Sequence, residues 1–252
     1  MSNKHLLCWN HSQKSLDNIP YGNVLDLKLL YGVSEQIGKI KKNTENFLKG
    51  LSYNHALLWG VRGSGKSSII RGILKEFSDQ YDNFITLEIN SEDISDLPEI
   101  FLNNQFDKNI IIFIDDLSFE QNDRRYVQFK SFLEGSFYSG KNKFLIYVSS
   151  NRRHLMKRDM IDNERSSAIS QDEGIEEKVS LSDRFGLWVS FHNLTKDDFI
   201  KIIKNYCSYY KIEYTHKIED LALKWIFARG NRTGRSAYQF FKQYCSENNI
   251  KI

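Results

Sequence analysis

Short apolar runs alternate along this chain with longer stretches in which apolar residues recur every three or four positions. That is the pattern of strands joined through crossover helices into a parallel sheet. Five runs read as strands, over 56–59, 84–89, 110–114, 144–149 and 187–191. The third is apolar at nearly every position, as burial on both faces requires. Between the strands, a helix is predicted from Ser34 as its N-cap to Lys49, with Ile37, Ile40, Phe47 and Leu48 on one face and Gly50 as its stop. A second follows Lys66 and turns Ile69, Ile70, Ile73 and Phe77 inward, and a third carries Tyr126, Phe129 and Leu133. After the fifth strand the period becomes purely helical. Thr195-Lys-Asp-Asp198 reads as a capping box ahead of Phe199, Ile202, Ile203 and Tyr206. The next helix covers about 221–228 and stops at Gly230, and the last starts near Gly234 with Ala237, Phe240, Phe241 and Tyr244 in one stripe. The expected fold is α/β, a five-stranded parallel sheet flanked by helices and followed by a small all-helical unit. Its parts are an N-terminal arm over 1–28, a core over 29–193 and a helical lid over 194–252. Segment 157–180 lacks apolar period, begins basic, turns acidic and reads as a long loop.

Composition narrows the classes. A chain of 252 residues, 40% hydrophobic with two prolines, is a soluble globular type rather than a disordered one. The net charge of +3 does not by itself point to nucleic acid or an anionic membrane. Cys8, Cys207 and Cys245 are odd in number and far apart, so they make neither a disulfide framework nor a Cys-x-x-Cys site, and a reducing cytoplasm is the expected compartment. No apolar run approaches the roughly 18–20 residues of a membrane helix, so no membrane insertion is expected. The six histidines lack metal-ligand spacing. Dinucleotide dehydrogenases, zinc hydrolases and secreted disulfide scaffolds all lose ground.

One motif carries chemistry directly. Gly60-Val61-Arg62-Gly63-Ser64-Gly65-Lys66-Ser67 fits Gly-x-x-x-x-Gly-Lys-Ser between an apolar strand and a helix. Its glycines let backbone N–H groups point at phosphate oxygens, Lys66 adds a charge near the β and γ phosphates, and Ser67 offers a hydroxyl to Mg²⁺. The third strand ends in Asp115-Asp116; in this setting the first carboxylate serves the metal and the second polarises the attacking water. Asn151 follows the fourth strand, where its amide would orient water at the carboxyl edge of the sheet. Arg152 and Arg153 come next and would reach a neighbouring subunit, a phosphate or only solvent.

Phosphate loop, Asp-Asp strand, Asn after a strand, Ser182-Asp-Arg184-Phe-Gly186 and a helical tail stand in the order seen in AAA+ ATPases. Tyr31-Gly-Val-Ser-Glu-Gln36, Leu57 to Ser67, Asp115-Asp-Leu-Ser-Phe-Glu120, Ser149-Ser-Asn-Arg-Arg-His154 and Leu181 to Leu187 resemble the bacterial domain-of-unknown-function family eight-fifteen, a single-module AAA+ group. The likeness runs from about Leu29 to Tyr244. It implies that Gly32 and Val33 lie beside the adenine of ATP, Gly60 to Ser68 hold its phosphates, Asp115 holds the metal and Asn151 is the first sensor. It also implies that Arg184 is an arginine finger reaching the adjacent subunit of a homo-oligomer, and that Arg235 is the lid sensor, with Arg232 as rival. Many AAA+ proteins carry Asp-Glu where this chain has Asp115-Asp116, which leaves Glu120 as a second candidate for activating water.

The expected function is an oligomeric ATPase whose lid moves with nucleotide state and works on an unidentified protein or nucleic-acid client. The competing reading is an ATP-held switch with little turnover that recruits a partner, DNA-associated like a helicase loader. From Lys217 to Ile252 seven basic side chains face three acidic ones, with Trp225, Tyr238 and Phe240 interleaved.

Overall fold

The computed structural model describes residues 6–22, 24–104, 106–120, 123–134, 143–155 and 181–252. The loop expected over 157–180 lies outside the described residues. The strands are β1 (Leu6–Asn10), β2 (Ser15–Asn18), β3 (Ala56–Gly60), β4 (Phe84–Asn90), β5 (Asn109–Asp115), β6 (Phe144–Ser150) and β7 (Leu187–Phe191). They form one sheet in the order β2-β1-β4-β5-β6-β3-β7, parallel throughout except for the β1–β2 hairpin. The helices are α1 (Ser34–Leu48), α2 (Lys66–Ser78), α3 (Leu97–Asn103), α4 (Arg124–Leu133), α5 (Lys196–Tyr209), α6 (His216–Arg229) and α7 (Gly234–Glu247).

The five expected strands are the contiguous block from β4 to β7; the hairpin corrects the count to seven among the described residues. β1 buries only Leu6 and Trp9, which breaks the period of two, and β2 has Leu16 as its single apolar residue. Neither run announces a strand. The hairpin forms because β1 adds to the open edge of β4 and is anchored from outside: Trp9 Nε1 donates to Asp96 Oδ2 at 2.7 Å and Lys14 Nζ to Glu99 Oε2 at 2.7 Å. α3 was also not expected, being seven residues long with Pro98 in its first turn, too short to show a period. At α1 the cap shifts: Val33 is the N-cap, without a side-chain bond, and Ser34 is the first helical residue. α6 starts at His216, earlier than its apolar period suggested. The capping box at Thr195 and Asp198 is formed.

Alternate residues of the strands feed two cores. Leu57, Ile110, Ile112, Ile114, Ile146 and Val148 face α3 and α4, while Ala56, Leu58, Ile111, Phe113, Leu145 and Tyr147 face α1 and α2. A third cluster joins α5, α6 and α7 through Phe199, Ile203, Ala222, Ala237 and Phe241. It also takes in Leu29, whereas neighbouring Leu27 and Leu30 pack on the α2 side of the sheet. The short turn Leu27–Leu29 therefore joins the helical tail to the sheet.

His55, at the start of β3, accepts a hydrogen bond from the Ile146 N–H on Nδ1 at 3.2 Å, and burial pushes its pKa down from 6.5 to about 4. The folded chain resists a proton that the unfolded chain takes up below pH 6.5. Stability is therefore complete above that pH and falls as the pH drops toward 4, by as much as ~3 kcal/mol from this group. Denaturant midpoints at pH 7 and pH 5 should differ by more in the wild type than in His55→Gln; equal slopes would show that His55 is not the group responsible.

Candidate functional site

β3 ends at Gly60, whose φ is +130°. A Cβ there would lie 2.0 Å from the Phe191 carbonyl oxygen, so only glycine lets the loop leave β3 against β7. Gly63 and Gly65 have φ of +77° and +99°, and Gly65 is the N-cap of α2. This curl places the first, unpaired N–H groups of α2 and their positive dipole end at a cleft of about 920 Å³. Arg62 through Ser68 line it, together with Gly32, Val33, Asp115, Asp116, Asn151 and Arg235. Gly60 and Val61 do not line it. They act through their carbonyls, which accept from Lys66 Nζ at 2.9 and 2.8 Å.

Strand register brings the rest together. β6 lies between β5 and β3, so Asp115, Ser149, Asn151 and the loop after Gly60 share one edge. Lys66 Nζ also donates to Asn151 Oδ1 at 3.1 Å, and Asn151 Nδ2 donates to Asp116 Oδ1 at 2.5 Å. Asp116 has φ +54°, a left-handed conformation that Asp tolerates better than most residues, and its N–H donates to Ser149 Oγ at 3.0 Å. Ser67 Oγ donates to Asp115 Oδ1 at 2.6 Å. Lys66 is 6% exposed, and burial holds its pKa below the ordinary lysine range; Asp116 and Asp115 oppose that shift and Arg235 adds to it.

The donor set suits a nucleotide with a hard cation. Ser67 and Asp115 supply adjacent oxygen ligands of the kind Mg²⁺ takes. The Ser64 hydroxyl oxygen is buried without a hydrogen-bond partner, beside loop N–H groups where a phosphate oxygen would satisfy it.

Arg235 lines the cleft and its N–H donates to the Gly63 carbonyl at 3.0 Å, whereas Arg232, exposed like Arg235, is outside the lining. Asp116 lines the cleft and Glu120 does not. Arg184 lies away from its own chain's cleft, in the turn Ser182–Arg184 ahead of β7, where Nη2 donates to Glu134 Oε1 at 2.6 Å. Among the described residues its acidic partner is Glu134 rather than neighbouring Asp183. Arg153 packs against Trp59 and Trp188, with its guanidinium 5.5 and 5.9 Å from the two ring centres. The aromatic residues of the basic tail do not form one exposed stripe: Phe240 is buried, Trp225 lies under Arg229 at 3.8 Å, and Tyr238 faces the cleft. Sequence reasoning missed Ser149 and Arg71, both bonded to Asp115, because nothing local to either residue marks it.

A mostly parallel sheet flanked by helices, with a phosphate loop after β3, an acid strand beyond β6 and a helical tail over the cleft, is the AAA+ P-loop fold. Residues 2–248 match the family described as "Protein of unknown function (DUF815)", and the chain belongs to it. The match takes in the N-terminal hairpin, which the likeness expected from Leu29 onward left out. Two solved structures of Thermotoga maritima RuvB variants superpose with TM-scores of 0.53 and 0.52 at 18% and 19% identity, covering 89% and 86% of this chain and 66% and 64% of theirs. A replication initiator DnaA, bound to AMPPCP and single-stranded DNA, superposes with a TM-score of 0.55 at 18% identity over 84% of this chain and 61% of its own. The chain thus spans under two thirds of the length of these structures, and likeness at such identity establishes the fold. No curated protein matches the chain. Among the described residues no helix is long and apolar enough to cross a membrane.

Proposed function

We propose that the protein binds Mg²⁺·ATP in this cleft and hydrolyses it as a homo-oligomer in the cytoplasm, moving its helical lid to do work on a protein or nucleic-acid client. The observation that carries the reading is the unbroken hydrogen-bond path from Lys66 through Asn151 to Asp116, which ties the phosphate loop to the acid strand in one rigid edge. Lys66 exchanges its three neutral oxygen partners for phosphate oxygens. The N–H groups of Gly63 to Ser68 cradle the phosphates. Ser67 and Asp115 would hold Mg²⁺, which would supply neutralisation of phosphate charge. Asp116 accepts the proton of the attacking water while Asn151 orients it, and Gly32 and Val33 border the base. Arg235 links the lid to the loop: it lines the cleft while its N–H stays on Gly63. The test is ATP turnover measured against protein concentration while the mass in solution is followed. Turnover that rises with assembly supports the reading, and negligible turnover at every concentration, with ATP still bound, assigns the protein to the class of ATP-held switches. That second reading draws on the Asn151–Asp116 bond, which occupies the carboxylate meant to act as base.

Asp116→Asn keeps the shape of the site and removes the base. It should bind Mg²⁺·ATP as the wild type does and turn it over at least about 10²-fold more slowly. If Glu120→Gln is the inactive variant while Asp116→Asn stays active, the base is Glu120.

A further inference from the structure

Asp115 is held on both oxygens. Oδ1 accepts from Ser67 Oγ at 2.6 Å and from Ser149 Oγ, while Oδ2 accepts from Arg71 Nη2 at 3.3 Å. The same Arg71 nitrogen makes a closer ion pair with Glu88 Oε1 on β4. Its guanidinium also lies over the Phe113 ring, 5.0 Å from the centre, which restrains its plane. Arg71 is on α2, so one helix carries both the phosphate lysine and the cation behind the acid strand.

We propose that Arg71 is a positioning residue for the metal ligand Asp115, and that Glu88 sets how strongly it acts. The proposal rests on the Mg²⁺·ATP reading above and deepens it. An arginine paired with Asp115 alone would neutralise the carboxylate and oppose a dication arriving at the same place. Here Glu88 takes the shorter contact and the larger share of the charge. Arg71 then keeps only a directional hold on Oδ2, enough to stop the carboxylate from rotating. Oδ1 stays turned to Ser67 Oγ, where the cation is needed. Outer partners that orient a ligating carboxylate in this way are typically worth about 10–100-fold in metal affinity. The bland reading is a cross-link between α2 and β4 that serves folding alone.

The experiment measures the affinity of a fluorescent ATP analogue in EDTA and across a Mg²⁺ titration, with melting temperatures alongside. Arg71→Met should match the wild type in EDTA, yet need about 10-fold more Mg²⁺ to reach its half-point. Arg71→Lys, which keeps the charge, should recover part of that shift. Glu88→Gln hands the whole Arg71 charge to Asp115 and should also raise the half-point. Because Glu88 acts through Arg71, the double variant should be no worse than Arg71→Met. If Arg71→Met does not fold, Arg71→Lys and Glu88→Gln carry the test. The proposal is overturned by an unchanged Mg²⁺ half-point, by equal losses with and without Mg²⁺, or by additive effects in the double variant. A wild-type protein that binds the analogue without regard to Mg²⁺ overturns this proposal alone. One that does not bind it at all overturns the ATP reading too.

Discussion

Lys66→Ala abolishes ATP turnover and weakens ATP binding by about 10–100-fold, while leaving the melting temperature within a few degrees of the wild type. The binding loss follows from removing a charge-assisted contact of about 1.5–3 kcal/mol. Lys66 is 6% exposed, and among the described residues its ammonium is bonded only to neutral oxygens, the Gly60 and Val61 carbonyls and the Asn151 side chain. Burial holds its pKa below the ordinary range, although Asp116 and Asp115 work in the other direction. A cation kept in such a place is ready for an anion that the described residues do not supply at bonding distance. Its removal relieves a desolvation cost as well as breaking hydrogen bonds, which is why little change in stability is expected. Calorimetric titration with ATP, phosphate release and thermal melting check the three parts separately. Unchanged ATP affinity would remove the phosphate-loop assignment.

Arg184→Ala binds ATP normally and hydrolyses it about 10³–10⁵-fold more slowly if the arginine stabilises charge on a neighbouring subunit's γ-phosphoryl group. Its present partner does not hold it firmly. The Arg184–Glu134 pair is 43% and 36% exposed, and surface pairs are worth about 0–1 kcal/mol. Arg184 is also clear of its own cleft, as a group acting in trans must be. Neither Lys66→Ala nor Arg184→Ala turns over alone. Mixed, they place an intact Arg184 from the first beside an intact ATP site of the second, and part of the activity returns. No recovery in a mixture shown to co-assemble removes the action in trans. Full activity of Arg184→Ala makes the pair with Glu134 a surface contact and nothing more.

The division between sequence and tertiary structure follows the range of the interactions. Within a dozen residues the chain declares itself. The apolar runs of β3 to β7 pair as expected, the capping box at Thr195 forms, and the phosphate loop sits between β3 and α2, because strand period, cap chemistry and glycine backbone freedom are local properties. Elements without a local signal were silent. β1 and β2 exist by adding to the edge of β4, and α3 is too short for a period to show. At the site, residue types and spacing marked Lys66, Ser67, Asp115, Asp116 and Asn151, yet not which oxygen meets which donor. The order β5-β6-β3 decides that, by setting Ser149 and Asn151 between the acid strand and the phosphate loop. Gly60 reads locally as a turn glycine, but the close approach of Phe191 is what excludes any side chain there. Sequence put Arg235 ahead of Arg232 only by resemblance; the docking of α7 on Gly63 is what sets Arg235 in the cleft lining. The pairs Arg71–Glu88 and Arg184–Glu134 lie beyond any local rule, since a charged side chain's partner is chosen by packing of distant segments rather than by its neighbours in the chain.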